Sequence, residues 1–420
     1  MRSDRYRWYA RGMRKLAFAL LVAACGGSDN HQQVTVIDAP IDTTPDSPPA
    51  QPVQVSLDVF GATPSLIAYR DGAGAWQTPT PGSNGKYTLT VTADYQVVVA
   101  CHDTANAFSE LLEATAADGS QFMFCNLPGG GTMPTTVAMT GHMVQAGDVQ
   151  MSDTASSTTA PWDFTLNVPA GTYDLFATSA AHGMVIRRDQ VVTTAGALAS
   201  IDVASEGTPM TATDLTVSGV GSDSLTTEID LFTNNGVGFW SGNTTTVYPP
   251  PAALLTANDF EYVFVEAFTQ TTARYAETQF TGSETTFDLP AVLTGIVFGP
   301  GKASWGTLPA YDQVSLDLQQ GGGTLGLEQT IIATKGWIDA THATQVAFDA
   351  MPPGFDASWS IDPSTSYQRM FEVEQLLNQV SYVSMVFDNA ALQRVVNRPK
   401  FSTVARLRES IRSQHTMPRR

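Results

Sequence analysis

From Val53 onward, apolar and polar residues alternate in short runs. Examples are Val55-Ser-Leu-Asp-Val-Phe60, Lys86-Tyr-Thr-Leu-Thr-Val91, Phe164-Thr-Leu-Asn-Val168 and Phe260-Glu-Tyr-Val-Phe-Val265. A side-chain period of two sends one set of residues to a core and the other to the opposite face, which is the pattern of strands. Gly, Asn, Asp and Pro interrupt these runs at intervals of roughly 8–12 residues. The pattern therefore predicts a mainly β body of tandem sandwich domains. Helical spacing is short or missing before residue 365, and residues 365–387 read equally as helix or strand. It returns in short C-terminal helices: Ala390 to Arg398, stopped by Pro399, then a second helix capped by Ser402. That second helix carries Val404, Leu407 and Ile411 on one face, with Arg406 and Arg412 flanking them.

The runs recur. Asp71-Gly-Ala-Gly-Ala-Trp76 matches Asn235-Gly-Val-Gly-Phe-Trp240, and Val55 to Gly61 matches Leu215 to Gly221. Asp94-Tyr-Gln-Val-Val-Val-Ala100 matches Asp259-Phe-Glu-Tyr-Val-Phe-Val265 at an offset of 165 residues. Collinear matches of this kind predict a tandem duplication. The first copy covers 53–208, as sandwiches 53–140 and 141–208, and the second covers 211–390. On this alignment Cys101 falls opposite Glu266 and Cys125 opposite Phe287, so the second copy lacks both cysteines. Asp-Gly and Asn-Gly are hairpin-turn dipeptides, and the second Gly two residues on permits a bulge.

Three segments resemble known families or modules. Val22-Ala-Ala-Cys25-Gly26 follows a basic stretch and the apolar Leu16 to Ala24, and it resembles the bacterial lipobox. That resemblance implies a lipoprotein signal peptide over 1–24, or from Met13, and cleavage before Cys25. Diacylglyceryl would then attach to the Cys25 sulfur, anchoring an outer-membrane lipoprotein of a Gram-negative bacterium on its periplasmic or cell-surface face. Residues 25–52, rich in Pro and Asp, read as an extended disordered tether. Val168-Pro-Ala-Gly-Thr-Tyr-Asp-Leu-Phe-Ala177 resembles the Gly-x-Tyr-x-Leu strand of carboxypeptidase-regulatory-like and related Ig-like bacterial β-sandwiches. It implies an accessory or stalk module over 141–208 without chemistry of its own. The first half, from Leu66 through Trp76 to Cys101, is similar to a module of uncharacterised secreted bacterial lipoproteins.

Charge divides the chain. The 420 residues hold 22 Lys and Arg against 40 Asp and Glu, a net charge of −18. Residues 391–420 reverse the sign, with eight bases (Arg394, Arg398, Lys400, Arg406, Arg408, Arg412, Arg419, Arg420) and one acid, Glu409. This basic end is open to three readings: folding onto the acidic body, remaining a disordered solubilising tail, or touching anionic lipid or envelope polymer. The acidic body argues against a nucleic-acid partner, because phosphate binding needs clustered Lys and Arg. Most of its carboxylates read as a solvated surface.

Candidate chemistry is sparse. Cys101 and Cys125 are an even pair for an oxidising compartment, read as a disulfide or as two buried thiols. Without C-x-x-C spacing or a histidine cluster, neither a metal nor a cofactor is expected. Gly295-Ile-Val-Phe-Gly-Pro-Gly-Lys302-Ala303 has the wrong glycine spacing for a phosphate loop and lacks its Ser or Thr. No catalytic residue is proposed. Trp76 and Trp240, at equivalent repeat positions, are candidate ligand-binding residues or core residues under their hairpins. The sequence thus points to a non-catalytic, lipid-anchored envelope interaction or adhesion module, contacting the membrane through its lipid and taking a glycan or protein ligand. A secreted hydrolase of envelope or extracellular polysaccharide, with acids in 211–390, and a structural spacer are the alternatives.

Overall fold

The computed structural model describes residues 51–387, apart from 84, 126–134, 153, 159, 180, 182, 243, 322–325, 350, 378 and 379. The expected signal peptide, Cys25, nearly all of the tether, and the basic end with its expected helices lie outside the described residues. The mainly β expectation holds. Among the described residues the α-helices are the short Val203–Glu206 and Lys335–Thr341. The ambiguous stretch near residue 365 resolves into a hairpin of strands, Gln368–Leu377 and Val380–Phe387.

One sheet of 11 strands organises the molecule. From edge to edge its strands are Val237–Gly242, Ser224–Phe232, Phe260–Phe268, Thr272–Phe280, Val380–Phe387, Gln368–Leu377, Gln313–Gln320, Gly326–Thr334, Asn106–Thr115, Asp94–His102 and Leu66–Asp71. Neighbours are antiparallel except at one joint, where Gly326–Thr334 runs parallel to Asn106–Thr115. That joint ties the early chain to the late chain, so the two matched segments stand at opposite ends of a single sheet.

Smaller layers cover this sheet in three places. Val53–Gly61, flanked by Lys86–Val91 and Gln121–Cys125, encloses a core of Leu57, Leu89, Tyr95, Val97, Val99 and Met123. At the other end Thr216–Ser218 and Thr286–Asp288 pair in parallel, as Val53–Gly61 and Gln121–Cys125 do. Their core holds Ile229, Val263, Val265 and Phe287. In the middle, Val297–Gly299, Lys302–Ser304 and Gln345–Ala347 form a small sheet, and Trp305, Leu316, Ile331 and Phe371 share one core. Residues 211–390 thus carry two of these cores. Residues 136–209 form a separate pair of sheets around Met151, Leu166, Leu175 and Ile201.

Register shows which face each end buries. One row across the sheet reads Val97, Leu112, Ile332, Ser315, Glu372, Met385, Ala273, Phe268. Val97 and Val99 lie on the face of that row and pack under the first small sheet. Val263 and Val265 have the opposite parity to Phe268, so the second end buries the other face. A two-fold rotation about an axis along the strands relates two such ends, and it exchanges the faces. The sequence alignment needs one correction here. An offset of 165 sets Val97 and Val99 against Tyr262 and Phe264, but the core-facing counterparts are Val263 and Val265, one residue on. Cys101 correspondingly stands opposite Ala267, not Glu266. A slip of one residue exchanges every side chain between faces. Phe260-Glu-Tyr-Val-Phe-Val265 is apolar on both, so its pattern left the register open.

Cys101 and Cys125 are disulfide-bonded, with Cα atoms 5.7 Å apart, and join the long sheet to the small sheet inside the first core. The glycine- and lysine-bearing stretch 295–303 is a hairpin of Val297–Gly299 and Lys302–Ser304, with Gly301 at φ 62° in its turn.

Candidate interaction surface

The two tryptophans serve packing between layers. Trp76 is half-buried against the middle core, with the Arg70 guanidinium 4.8 Å from its ring centroid. Its turn needs glycine at 74, since a Cβ there would meet the Asp71 carbonyl oxygen at 2.8 Å. Trp240 is half-buried against Phe176 of the 136–209 unit, edge to face at 6.3 Å between centroids. The Arg188 guanidinium fastens the same junction, donating to Asp174 Oδ2 at 2.9 Å, Asp259 Oδ2 at 2.7 Å and the Leu254 carbonyl at 2.8 Å. The structure therefore places Trp76 and Trp240 in separate junctions, each seating its Gly-rich turn on a neighbouring core, and does not bring them together.

A polar row runs from half-buried Arg70, beside Trp76, to buried Glu113. Arg70 Nε donates to Gln96 Oε1 at 2.5 Å, and Gln96 Nε2 donates to Glu113 Oε1 at 2.6 Å. Burial outweighs these contacts and pushes the Glu113 carboxyl up to about 8. Because the folded chain holds this proton more tightly than the unfolded chain, the stabilisation is complete at acid pH and is lost as pH rises from about 5 to about 8. Glu113→Gln should therefore raise the melting temperature at pH 8 and leave it nearly unchanged at pH 4. The expected gain at pH 8 is on the order of 3 kcal/mol. Thermal unfolding at the two pH values checks this, and an equal change at both would contradict it.

The most distinctive surface is the sheet face that carries Glu372 and Met385. On strand Ser224–Phe232 it presents Glu228 and Asp230; on Phe260–Phe268 it presents Phe260, Tyr262, Phe264 and Glu266. The next strand adds Tyr275 and Glu277, and Gln368–Leu377 adds Glu372 and Glu374. Glu228, Phe264 and Glu277 share one row; Glu266 and Tyr275 share the next. Arg274 and Arg369 lie on the opposite face, so the described residues of this face between Ser224–Phe232 and Gln313–Gln320 include no Lys or Arg. Phe232 stacks on Phe260 with ring centroids 4.9 Å apart, and Phe264 tilts against Tyr275 at 5.4 Å.

Electrostatics follow from this arrangement. Asp230 is held well above the usual carboxylate range, first by burial and then by Glu228 and Glu277. Burial and Glu277 push the Tyr262 hydroxyl up to about 12. A carboxylate accepts hydrogen bonds from several N–H donors, and an aromatic ring attracts a cation over its face. Alternating the two gives a surface suited to a group that is both basic and apolar. Among the described residues, no group of three or more His, Cys, Asp or Glu is placed to hold a metal ion.

Acids in alternating strands read as solvated surface, so the sequence pattern does not single out this face. Glu228, Glu266, Glu277, Glu372 and Glu374 are in fact buried. The available signal was the second face of Phe260-Glu-Tyr-Val-Phe-Val-Glu-Ala-Phe268, where aromatic rings and an acid follow one another at every other residue.

No family model and no curated protein matches the chain. Among solved structures, a putative adhesin from Bacteroides ovatus is 6% identical with a TM-score of 0.14, covering 39% of this chain and 95% of its own. A putative carbohydrate binding protein from Bacteroides uniformis is 13% identical at a TM-score of 0.13, covering 36% and 94%. The TIE protein of Bacillus anthracis is 7% identical at a TM-score of 0.14, covering 58% and 51%. Likenesses of this size carry no argument about ligand or activity.

Proposed function

We propose that this chain is a lipid-anchored, non-catalytic interaction protein of a Gram-negative cell envelope, and that the acid and aromatic face of its long sheet recognises a basic, partly apolar polypeptide. The observation that carries the reading is the alternation of carboxylates and aromatic rings over neighbouring strands, without a basic residue among the described residues of that face. Side chains from Ser224–Phe232, Phe260–Phe268 and Thr272–Phe280 converge there on a rigid platform, so specificity comes from position and not from a mobile loop. The lipobox-like segment at Cys25 and the Pro- and Asp-rich stretch after it support the anchor. Cys25→Ser should move the protein from the membrane fraction to the soluble fraction; unchanged fractionation would sink the anchored reading.

The surface is tested with a synthetic amphipathic peptide of alternating Arg and Leu turns and, separately, with a neutral polysaccharide. The reading expects the peptide to be retained and Glu266→Gln with Glu277→Gln to weaken retention at least tenfold. Retention of the polysaccharide alone would give the face to a glycan and overturn the polypeptide reading. A hydrolase is a second reading, favoured by Glu228, Asp230 and Glu277 gathering in the second half of the chain. It expects release of reducing sugar that Asp230→Asn abolishes.

A further inference from the structure

We infer that Glu261 makes the joint between the 136–209 unit and the long sheet pH-sensitive, closed in acid and loosened in alkali. Its row lies on the reverse of the acid and aromatic face, so nothing here depends on what that face binds. Glu261, on strand Phe260–Phe268, stands opposite Leu231 on one side and Phe280 on the other. Leu231 in turn stands opposite Gly238 on the edge strand Val237–Gly242. The 136–209 unit sits down on this row. A Cβ at Gly238 would meet the Phe176 ring at 3.0 Å, and Leu231 shares a buried core with Phe176 and Met184. Trp240, Met210, Leu254 and Leu255 rim that core.

A carboxyl group is out of place in such a row. Glu261 is 8% exposed, and its Oε1 is buried with no hydrogen-bond partner among the described residues. The charges around the joint are engaged elsewhere. Arg188 spends both terminal nitrogens on Asp174, Asp259 and the Leu254 carbonyl. Asp189 accepts from Asn235 Nδ2 at 2.6 Å. On strand Ser224–Phe232 this face presents Thr227, Ile229 and Leu231, none of them charged. On Thr272–Phe280 its charged residue is Arg274, which lies opposite Ala267 and is committed to Asp223. Glu284, in the turn after Phe280, accepts from Thr281 and Ser283. A neutral Glu261 fits these surroundings. An ionised one needs water or a cation, which the closed joint does not supply.

Burial accordingly pushes the Glu261 carboxyl up to about 7. The closed joint holds this proton more tightly than an opened, hydrated one does. Its stabilisation is therefore complete below about pH 4.5 and is lost as pH rises to about 7. The joint yields before the sheet. Strand Phe260–Phe268 is hydrogen-bonded to a neighbour along both edges. The 136–209 unit has a core of its own and rests on this row through Phe176, Met184 and the Arg188 fork. A contact between separately cored units opens at a lower free energy than either unit unfolds. Water entering beside Leu231 then solvates the carboxylate, and the unit is freed to move.

Hydrogen–deuterium exchange of the full chain at pH 5.5 and pH 8, corrected for the intrinsic rate at each pH, tests the inference. Peptides spanning 171–179 and 237–242 should exchange at least tenfold faster at pH 8. Glu261→Gln keeps a neutral side chain at every pH, so in that variant the same peptides should exchange equally at both. Glu261→Leu should remove the pH dependence as well. Equal exchange of the native joint peptides at the two pH values would overturn the inference. So would a pH effect that persists undiminished in both variants. An acceleration at pH 8 that is as large over 313–334, in the middle of the sheet, would make Glu261 a determinant of the whole fold and overturn the joint. Should the variants fail to fold, the native comparison of joint and mid-sheet peptides still decides.

Discussion

Replacing Arg274 with leucine should lower the stability of the protein by about 3–5 kcal/mol, the largest loss expected from any single side chain described here. Arg274 is 5% exposed on the core side of strand Thr272–Phe280. Its Nη2 pairs with Asp223 Oδ2 at 2.5 Å, and Nη1 donates to the carbonyls of Gly219 at 2.8 Å and Pro290 at 3.0 Å. One guanidinium thus holds the turn at 219–223 and the chain after Thr286–Asp288 against the long sheet. Its removal leaves a nearly buried carboxylate unpaired and two carbonyls without their donor, and that penalty exceeds the net worth of the contacts themselves. Arg274→Lys should be nearly as damaging, because a single ammonium cannot reproduce the fork. Combining Arg274→Leu with Asp223→Leu should recover part of the loss. Urea unfolding of the three variants reads this out, and a cost below about 1 kcal/mol for Arg274→Leu would contradict the assignment.

Opening the disulfide should come next. Cys101→Ala with Cys125→Ala frees a loop with a sequence separation of 24 residues. The chain-entropy model puts the loss at about 3.5 kcal/mol. The bond joins the two layers of the first core, where both cysteines are buried, so the loss should appear as an earlier transition of that end of the sheet. Reducing the native protein with dithiothreitol should reproduce the shift. A variant that unfolds at the native urea concentration would show that the bond adds little to packing already in place.

Much of the architecture could be read from local pattern. Alternation in Val55 to Phe60 and Lys86 to Val91 names strands because one face is apolar and the other is not. The Asp71-Gly72 turn announces itself through glycine at φ 52°. Other features have no local signature. The parallel joint between Asn106–Thr115 and Gly326–Thr334 links residues more than two hundred positions apart, and nothing in either strand names its partner. Register failed where both faces are apolar, as in Phe260 to Val265. The candidate surface stayed hidden for a related reason. An acid in a strand normally marks the wet face, but Glu228, Glu266 and Glu277 are buried. The two tryptophans read from sequence either as ligand contacts or as core residues under their hairpins, and the structure shows each one half-buried against a neighbouring core. A bulky aromatic beside a Gly-rich turn serves either purpose, and local pattern does not name the neighbours, Phe176 for Trp240 and Arg70 for Trp76.

The central claim is that the carboxylates of one sheet face recognise a basic, apolar polypeptide. Calorimetric titration of the Arg and Leu peptide into the full chain and into its Glu266→Gln, Glu277→Gln variant tests it most directly. The account predicts that the variant binds at least tenfold more weakly while unfolding at an unchanged or higher temperature. Equal affinity for the two proteins would contradict it.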